Sequence, residues 1–562
     1  MTEPGRDLQS ALAYAAGSDK SLIFLDRKER ETRWPFHAVQ SRARAVAGRL
    51  MKLGIQHGER VVLVFPTDIE FMDAFFGCLL AGAVPTPVYP PVRLGRMDEY
   101  VARTARMIEL AGARLVLAPS RIRRVMGRVA ERARPELGCR TLEQLPSAPP
   151  DSRPVDPLDL ALVQFSSGTT VDPKPVALTH HALMEQGRLL RQLILESGGD
   201  EVQAGCSWLP LYHDMGLIGC LMPALLHPGD LTLLGPELFI TKPALWLRAL
   251  SRSKATVSPA PNFAYALCVQ KVKDEEMEGV DLSHWRMALN GAEPVAPEVL
   301  RAFTERFARW GFSANALTPV YGLSEAALAI SFSDVNTPFV TTHFDPVALS
   351  EGRAVPDPEG VELVSVGKAL PEFDIEVREG IIWTRGPSLM KGYLGRPDLT
   401  ATALVDGWLN TGDLGFFHEG ELYVTGREKD VLILNGRNHA PHPVEQAADH
   451  VQGVRTGCAA AVSFRPEGAA SETLVLFVER NKGATVDPSL VAASVLERCG
   501  LRCGQVVIVD PGTLPRTSSG KLRRSEALRL HRAGELAAPD EVTLLHVAGI
   551  FARSAAAFFR AR

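Results

Sequence analysis

The segment Gln164-Phe165-Ser166-Ser167-Gly168-Thr169-Thr170 ends an apolar run at 160–163 and leads into Val171-Asp172-Pro173-Lys174. Four hydroxyl side chains, a glycine and a lysine after a strand make a loop suited to gripping phosphate. Hydroxyls and backbone N–H groups donate hydrogen bonds, and the lysine adds charge. The G-x-x-x-x-G-K-[ST] spacing of a Walker A loop is missing, and alone the segment reads equally well as a Ser/Thr surface turn. Four further polar clusters follow, Tyr321-Gly322-Leu323-Ser324-Glu325, Thr411-Gly412-Asp413, Gly426-Arg427-Glu428-Lys429 and Ser518-Ser519-Gly520-Lys521, and His213 stands apart from them. Each has a plain structural reading as well. Glu325 could complement a helix start, Asp413 could close an Asx turn, Tyr321 and His213 could be core, and Lys429 and Lys521 could be solvated surface lysines.

The elements that must position these groups alternate in type. Residues 61–65 form a short β-branched run closed by Pro66; residues 68–80 then read as a helix capped by Asp68 and ended by Ala81-Gly82, and an extended piece resumes at Val84. Short apolar runs recur at 113–117, 257–259 and 287–289 with helical stretches between, the pattern of parallel sheets covered by helices. Residues 134–157 shift to Pro, Ser and Asp, as a surface connection does. Residues 337–367 show no strong period and read as an insertion or an irregular β-rich segment. Short strands with Gly turns dominate from Ile381. A helix near 443–451, strands near 458–463 and 472–479 and a helix near 488–499 then predict a separate α+β domain. The expected fold is therefore α/β: a large N-terminal domain of parallel-rich sheets with a small β-subdomain (residues 1–428, insertion near 340–366), then a small mobile C-terminal α+β domain (residues 429–562).

At 562 residues the chain is several times the roughly 150 residues of a typical domain, so one compact core is excluded. Lys plus Arg (61) nearly balance Asp plus Glu (65), and a net charge of −4 offers no bulk basic field for nucleic acid or an anionic membrane. Six of the eight cysteines stand far apart; Cys499 and Cys503, four residues apart on one expected helix, lack the partners a zinc site needs. The sparse cysteines, the absence of a secretory pattern at the N-terminus and the absence of a spanning apolar segment lead to the expectation of a cytoplasmic protein. The apolar segment 542–559 carries Arg553 and is followed by Arg560 and Arg562; it is expected to dock on its own domain rather than on a membrane or partner.

Five motifs in this order, spread over nearly the whole chain, resemble the adenylate-forming superfamily of acyl-CoA synthetases, luciferases and peptide-synthetase adenylation domains. Within it, Trp208-Leu209-Pro210-Leu211-Tyr212-His213-Asp214-Met215-Gly216-Leu217-Ile218-Gly219, Ala260-Pro261-Asn262-Phe263-Ala264-Tyr265 and Gly436-Arg437-Asn438-His439 resemble the fatty acyl-AMP ligases. Residues 344–366 sit where those ligases carry an insertion. The resemblance implies an ATP- and Mg²⁺-dependent ligase that makes an acyl-adenylate and passes the acyl group to the phosphopantetheine thiol of an acyl carrier protein on a separate chain. It implies that Ser166, Ser167, Gly168, Thr169, Thr170 and Lys174 hold the β- and γ-phosphates, that Glu325 binds Mg²⁺, and that Asp413, with Arg427 beside it, takes the ribose hydroxyls. Gly291, Ala292 and Glu293 would edge the adenine, the Tyr321 ring would stack on it, and Gly322 would belong to the same nucleotide site. His213 would orient the reacting carboxylate, Lys521 would bridge carboxylate and phosphate, and Lys429 would be the hinge. Trp208, Met215, Ile218, Phe263, Tyr265 and Leu328 would line an acyl pocket.

Two departures stand out. Val171 and Pro175 replace glycines usual in the family loop; valine tolerates positive φ poorly and proline has no N–H to donate. They motivate one alternative, a weak or inactive acyl- or adenylate-binding protein. The other alternative is a fatty acyl-CoA ligase.

Overall fold

A computed structural model of the chain describes residues 4–91, 94–166, 173–198, 203–434, 437–466, 472–517, 521–539 and 544–560. Ser167 to Thr170, Val171, Gly436 and Ser518 to Gly520 lie outside them. Among the described residues the largest sheet has nine strands, in the order Lys368–Ala369, Ala329–Phe332, Leu317–Gly322, Met287–Asn290, Val257–Ala260, Ala204–Ser207, Asp230–Leu234, Ser21–Leu25 and Glu31–Pro35. Its six interior strands, from Leu317–Gly322 to Ser21–Leu25, are mutually parallel, and antiparallel strands close both edges. A second sheet, Val84–Pro87, Arg60–Leu63, Leu115–Leu117 and Cys139–Arg140, is wholly parallel. One continuous hydrophobic core joins Val61, Leu63 and Leu115 of the smaller sheet to Leu22, Leu231 and Leu289 of the larger one.

Helix Ile69–Leu80 shows how the sequence dictates this arrangement. Asp68, in extended conformation, accepts from the N–H of Phe71 at 3.2 Å and starts the helix. The sequence behind it is nearly all apolar and nearly all buried, as a helix between other layers must be. Its buried Asp73 is neutralised by both arms of Arg42, at 2.8 and 2.5 Å.

The β-subdomain is built on the long strand Trp408–His418, paired with Ile381–Arg385 on one side and Glu421–Arg427 on the other. The expected insertion is a hairpin, Thr341–Phe344 with Val361–Val364, enclosing the short helix Pro346–Ser350. Phe344 packs edge-on against Phe416 and Tyr423 of the subdomain, Arg301 pairs with Glu362, and the short helix lies beside the strand Arg437–His439. The C-terminal α+β domain has a three-stranded sheet, Val454–Phe464, Thr473–Arg480 and Cys503–Val509, with cores of its own beneath helices Pro441–Asp449, Pro488–Cys499 and Arg524–Arg532. The α/β class with parallel-rich sheets, a β-subdomain and a C-terminal α+β domain is thus as expected.

Two local expectations are corrected. Cys499 ends its helix and Cys503 begins the following strand, because Gly500 adopts the left-handed conformation (φ +66°) that terminates the helix. Helix Leu544–Arg560 does not dock on the C-terminal domain. It crosses to the N-terminal one, where Ile550 and Ala557 are buried, Ser554 Oγ accepts from the N–H of Gly127 at 2.7 Å, Arg123 lies over the ring of Phe558 and Arg560 pairs with Glu131. Among the described residues, no helix is long and apolar enough to cross a membrane.

Candidate active site

Parallel strands place the residues that follow them along one edge of the sheet, where open α/β folds bind their ligands. Here four neighbouring strands do so. Ala204–Ser207 leads into Trp208 to Asp214, Val257–Ala260 into Pro261 to Phe263, Met287–Asn290 into Gly291 to Glu293, and Leu317–Gly322 into Ser324 and Glu325. The strands are in register, Ala260 opposite Asn290 and Asn290 opposite Pro319, so segments far apart in sequence become neighbours. Gly322 has to be glycine, since a β-carbon there would sit 1.8 Å from the carbonyl oxygen of Leu328.

The hairpin of Leu160–Ser166 and Lys174–Thr179 sets Ser166 opposite Lys174 at the two ends of the expected phosphate loop. Pro175 stands in the second strand, opposite Phe165, and its carbonyl accepts from the N–H of Leu394 at 2.8 Å. It therefore belongs to the sheet. Gln164 joins this hairpin to the next segment by donating from Nε2 to the carbonyl of Tyr212 at 2.8 Å.

Asp413 and its partners form a rigid unit. Gly412 holds φ at +68°, a conformation glycine adopts freely, and the Thr411 hydroxyl accepts from the N–H of Asp413 at 3.0 Å. The buried Asp413 carboxylate accepts from the Tyr321 hydroxyl at 2.7 Å and lies 2.9 Å from Arg427 Nε. The charge of Asp413 raises the Arg427 pKa despite the cost of burial. Glu325, also buried, accepts from the Tyr393 hydroxyl at 2.8 Å, and Lys174 Nζ lies 5.0 Å from the centre of that same ring.

Cations converge here from three elements. Burial lowers the Lys174 pKa, and repulsion from Lys429, Arg427 and Arg396 lowers it further against the attraction of Glu325. Lys521 arrives from the C-terminal domain, its N–H donating to Thr517 Oγ1 at 3.0 Å. Its pKa is lowered by burial and then by Arg427, while Asp214, Asp413 and Glu293 draw it in. A site that collects cations which repel one another suits a polyanion. The buried acceptors Asn290 Oδ1 and Gln164 Oε1, unpartnered among the described residues, add polar capacity beside it.

His213 Nδ1 lies 2.7 Å from Asp214 Oδ1. Gly291 packs against Val320, Ala292 adopts φ +69°, and Glu293 Oε1 accepts from the N–H of Phe263 at 2.6 Å, tying the expected adenine edge to the expected acyl pocket. That pocket list divides. Phe263 is 36% exposed and meets Trp208 edge-on, whose buried Nε1 has no partner among the described residues, while Leu328 approaches Gly219 beside Met215. Ile218 is fully buried within the core. Tyr265 is corrected to a core residue: it is fully buried among Trp246, Trp285 and Phe303, and its hydroxyl donates to the Leu289 carbonyl at 3.0 Å. Lys429 is exposed in the turn Glu428–Asp430. Sequence reasoning passed over Asp214, Gln164 and Tyr393. The adjacency of Asp214 to His213 was a usable signal; Tyr393, far along the chain, had none.

The chain matches the family model described as AMP-binding enzyme over residues 13–394. It is 36% identical over 555 residues to a protein of Caulobacter vibrioides (strain NA1000 / CB15N) provisionally named an acyl-CoA synthetase, covering 94% of this chain and 95% of that one. It is 31% identical over 561 residues to the medium-chain-fatty-acid–[acyl-carrier-protein] ligase JamA of Moorena producens (strain JHB), covering 92% and 93% of the two chains. A solved structure from a study of fatty acyl-adenylate ligases of E. coli and L. pneumophila superposes with a TM-score of 0.87 at 33% identity, covering 94% of this chain and 98% of that one. With the cation-lined site and the matched fold in agreement, the chain belongs to the AMP-binding enzymes of the adenylate-forming superfamily, which use ATP to activate acyl groups.

Proposed function

We propose that this chain is a fatty acyl-AMP ligase: it joins a fatty acid to AMP, releases pyrophosphate, and hands the acyl group to the phosphopantetheine thiol of a separate acyl carrier protein. The observation that carries the first half is the gathering of Lys174, Arg427 and Lys521 from three elements around Glu325 and Asp413. In the reaction a carboxylate oxygen attacks the α-phosphorus, the bond from that phosphorus to the bridging oxygen breaks, and pyrophosphate leaves with the electron pair. Negative charge brings the two reactants into mutual repulsion and gathers on the leaving group, so fixed cations at both ends lower the barrier.

Lys174, with Ser166 to Thr170, holds the β- and γ-phosphates. Asp413 accepts from the ribose hydroxyls beside Arg427, Tyr321 and Gly322 face the base, and the loop Gly291 to Glu293 edges it. Lys521 bridges carboxylate and phosphate, and His213 orients the carboxylate. Phe263, Trp208, Met215 and Leu328 offer the apolar surface for the alkyl chain. Glu325, a buried carboxylate that accepts from the Tyr393 hydroxyl, would hold Mg²⁺ through a hard oxygen donor, and the ion would supply charge neutralisation on the triphosphate. Lys429 is the hinge between domains 1–428 and 429–562.

Carrier-protein transfer rests on the likeness to the Moorena ligase and on the insertion hairpin, which is anchored to the β-subdomain and reaches the C-terminal domain at Arg437–His439. The name of the Caulobacter relative favours CoA as a second acceptor. A pyrophosphate-release screen over fatty acids of graded length, run with CoA, with a phosphopantetheinylated carrier protein and with neither, tests both halves. Release with a fatty acid and thioester only on the carrier supports the proposal. Thioester on CoA turns it to a CoA ligase, and no release with any acid reduces the chain to a binder.

A further inference from the structure

Asp214 is a charged residue at the site to which the proposed reaction gives no role. We infer that it is a positioning residue, whose carboxylate fixes the His213 imidazole and ties it to the Ser324 turn. The inference rests on the adenylate-forming reading above.

Both carboxylate oxygens are engaged. Oδ1 lies 2.7 Å from His213 Nδ1 and accepts from the N–H of Met215 at 2.7 Å, while Oδ2 accepts from the Ser324 hydroxyl. The side chain is only 10% exposed, so the ionised form survives through these partners alone. Burial pushes the carboxyl pKa up, but the charge and hydrogen bond of His213, the hydrogen bond of Ser324 and the charge of Lys521 hold it well below the usual carboxylate range.

One anion thus links two elements directly, the segment after strand Ala204–Ser207, which supplies His213, and the turn after Leu317–Gly322, which supplies Ser324 next to Glu325. The charge of Lys521 from the C-terminal domain favours the ionised form of Asp214. With Nδ1–H directed at Asp214, the imidazole presents Nε2 as its remaining nitrogen, and its ring orientation is set. An apolar residue at 214 would leave the ring free to turn, and an asparagine would hold it with a weaker, uncharged acceptor that no longer attracts Lys521.

The test is Asp214→Asn, measured by pyrophosphate release in the wild-type and His213→Ala backgrounds. Asp214→Asn should lower kcat by roughly 10- to 100-fold, up to the cost of a reacting group misplaced by about an ångström, with the KM for ATP within about twofold of wild type. In the His213→Ala background the same substitution should cost clearly less than in wild type, because the two side chains act as one unit. An unchanged kcat, or an equal loss in both backgrounds, would overturn the inference. The ¹⁵N resonances of His213 give a readout independent of turnover: protonated Nδ1 in wild type, and a changed tautomer population in Asp214→Asn. Unaltered resonances would also overturn it. If Asp214→Asn does not fold, Ser324→Ala, which removes one partner of the same carboxylate, takes its place with the same expectations at smaller size. A wild-type chain that releases no pyrophosphate counts against the adenylation reading, while the resonances still decide the role of Asp214.

Discussion

At the scale of single residues the site shares its partners, and substitutions should be read as the loss of several contacts together. Asp413 holds Tyr321 and Arg427 at once, so Asp413→Ala frees a buried hydroxyl and a guanidinium as well as removing the proposed ribose acceptor. Loss of charged hydrogen bonds of this kind costs roughly 1.5–3 kcal/mol, so calorimetry should show ATP binding weakened about 10- to 150-fold. Equal affinity would remove Asp413 from the nucleotide site. Lys521 differs, because in the proposed reaction it supplies charge where the bond forms while the proposed ATP contacts of the N-terminal domain stay in place. Lys521→Ala should lower pyrophosphate release by about 100-fold or more with ATP affinity little changed, and an unaltered rate would exclude this lysine from the chemistry. What could be read from sequence at this scale were residues whose motif names a chemistry, such as Asp413 in Thr-Gly-Asp or Lys521 in Ser-Ser-Gly-Lys. The face a side chain takes was hidden: Phe263 and Tyr265 stand two apart in one motif, yet helix Asn262–Lys271 turns Tyr265 into the aromatic core and leaves Phe263 at the surface.

Secondary-structure elements carry a second set of consequences. Strand and helix positions were legible where a short apolar run met a strong stop, as at helix 488–499, begun by Asp487 and Pro488 and ended by Gly500. The phosphate loop shows the opposite case, since motif comparison places Pro175 in a loop and the hydrogen-bond ladder places it in a strand. Pro175→Gly should therefore give no faster adenylation, and should cost roughly 0.5–1 kcal/mol of stability through the freedom glycine adds to the unfolded chain. A clear gain in rate would return Pro175 to the loop. A pH effect belongs to helix Ile69–Leu80. Burial, the largest influence on Asp68, raises its pKa to about 6, against the Phe71 N–H, which favours the ionised form. The folded protein then binds more protons than the unfolded chain between pH 3.8 and about 6, so this residue's contribution is fully present below that window and is lost as pH rises through it. Asp68→Asn keeps a side-chain oxygen for the cap without the charge, and should raise the thermal midpoint at pH 7 relative to wild type while leaving it nearly unchanged at pH 4. An equal effect at both values would disprove the titration.

At the scale of the whole molecule, the chain ties its C-terminal domain down at two points. One is the chain connection itself, through the turn Glu428–Asp430. The other is helix Leu544–Arg560, seated against helix Gly127–Ala133 of the N-terminal domain. Between them, Arg96 donates to the carbonyls of Gly512 and Thr513, both at 2.9 Å, and Gln446 to Glu298 at 3.0 Å. These contacts are few and polar, whereas the helix buries Ile550 and Ala557 and encloses Ser554, so it carries much of the apolar attachment. The sequence showed the apolar stripe of 542–559 but not the surface it matches, because that surface forms only when residues 97–133 have folded. A chain ending at residue 539 keeps the cores of the C-terminal domain intact and loses this attachment. Burial of one isoleucine with smaller side chains is worth about 2–4 kcal/mol, so the truncated chain should melt several degrees lower. It should also be cut faster by trypsin at Arg427 and Lys429, beside the turn proposed as the hinge. Unchanged melting together with an unchanged cleavage rate would mean that the polar contacts hold the domain by themselves, and that the final helix only covers the surface it rests on.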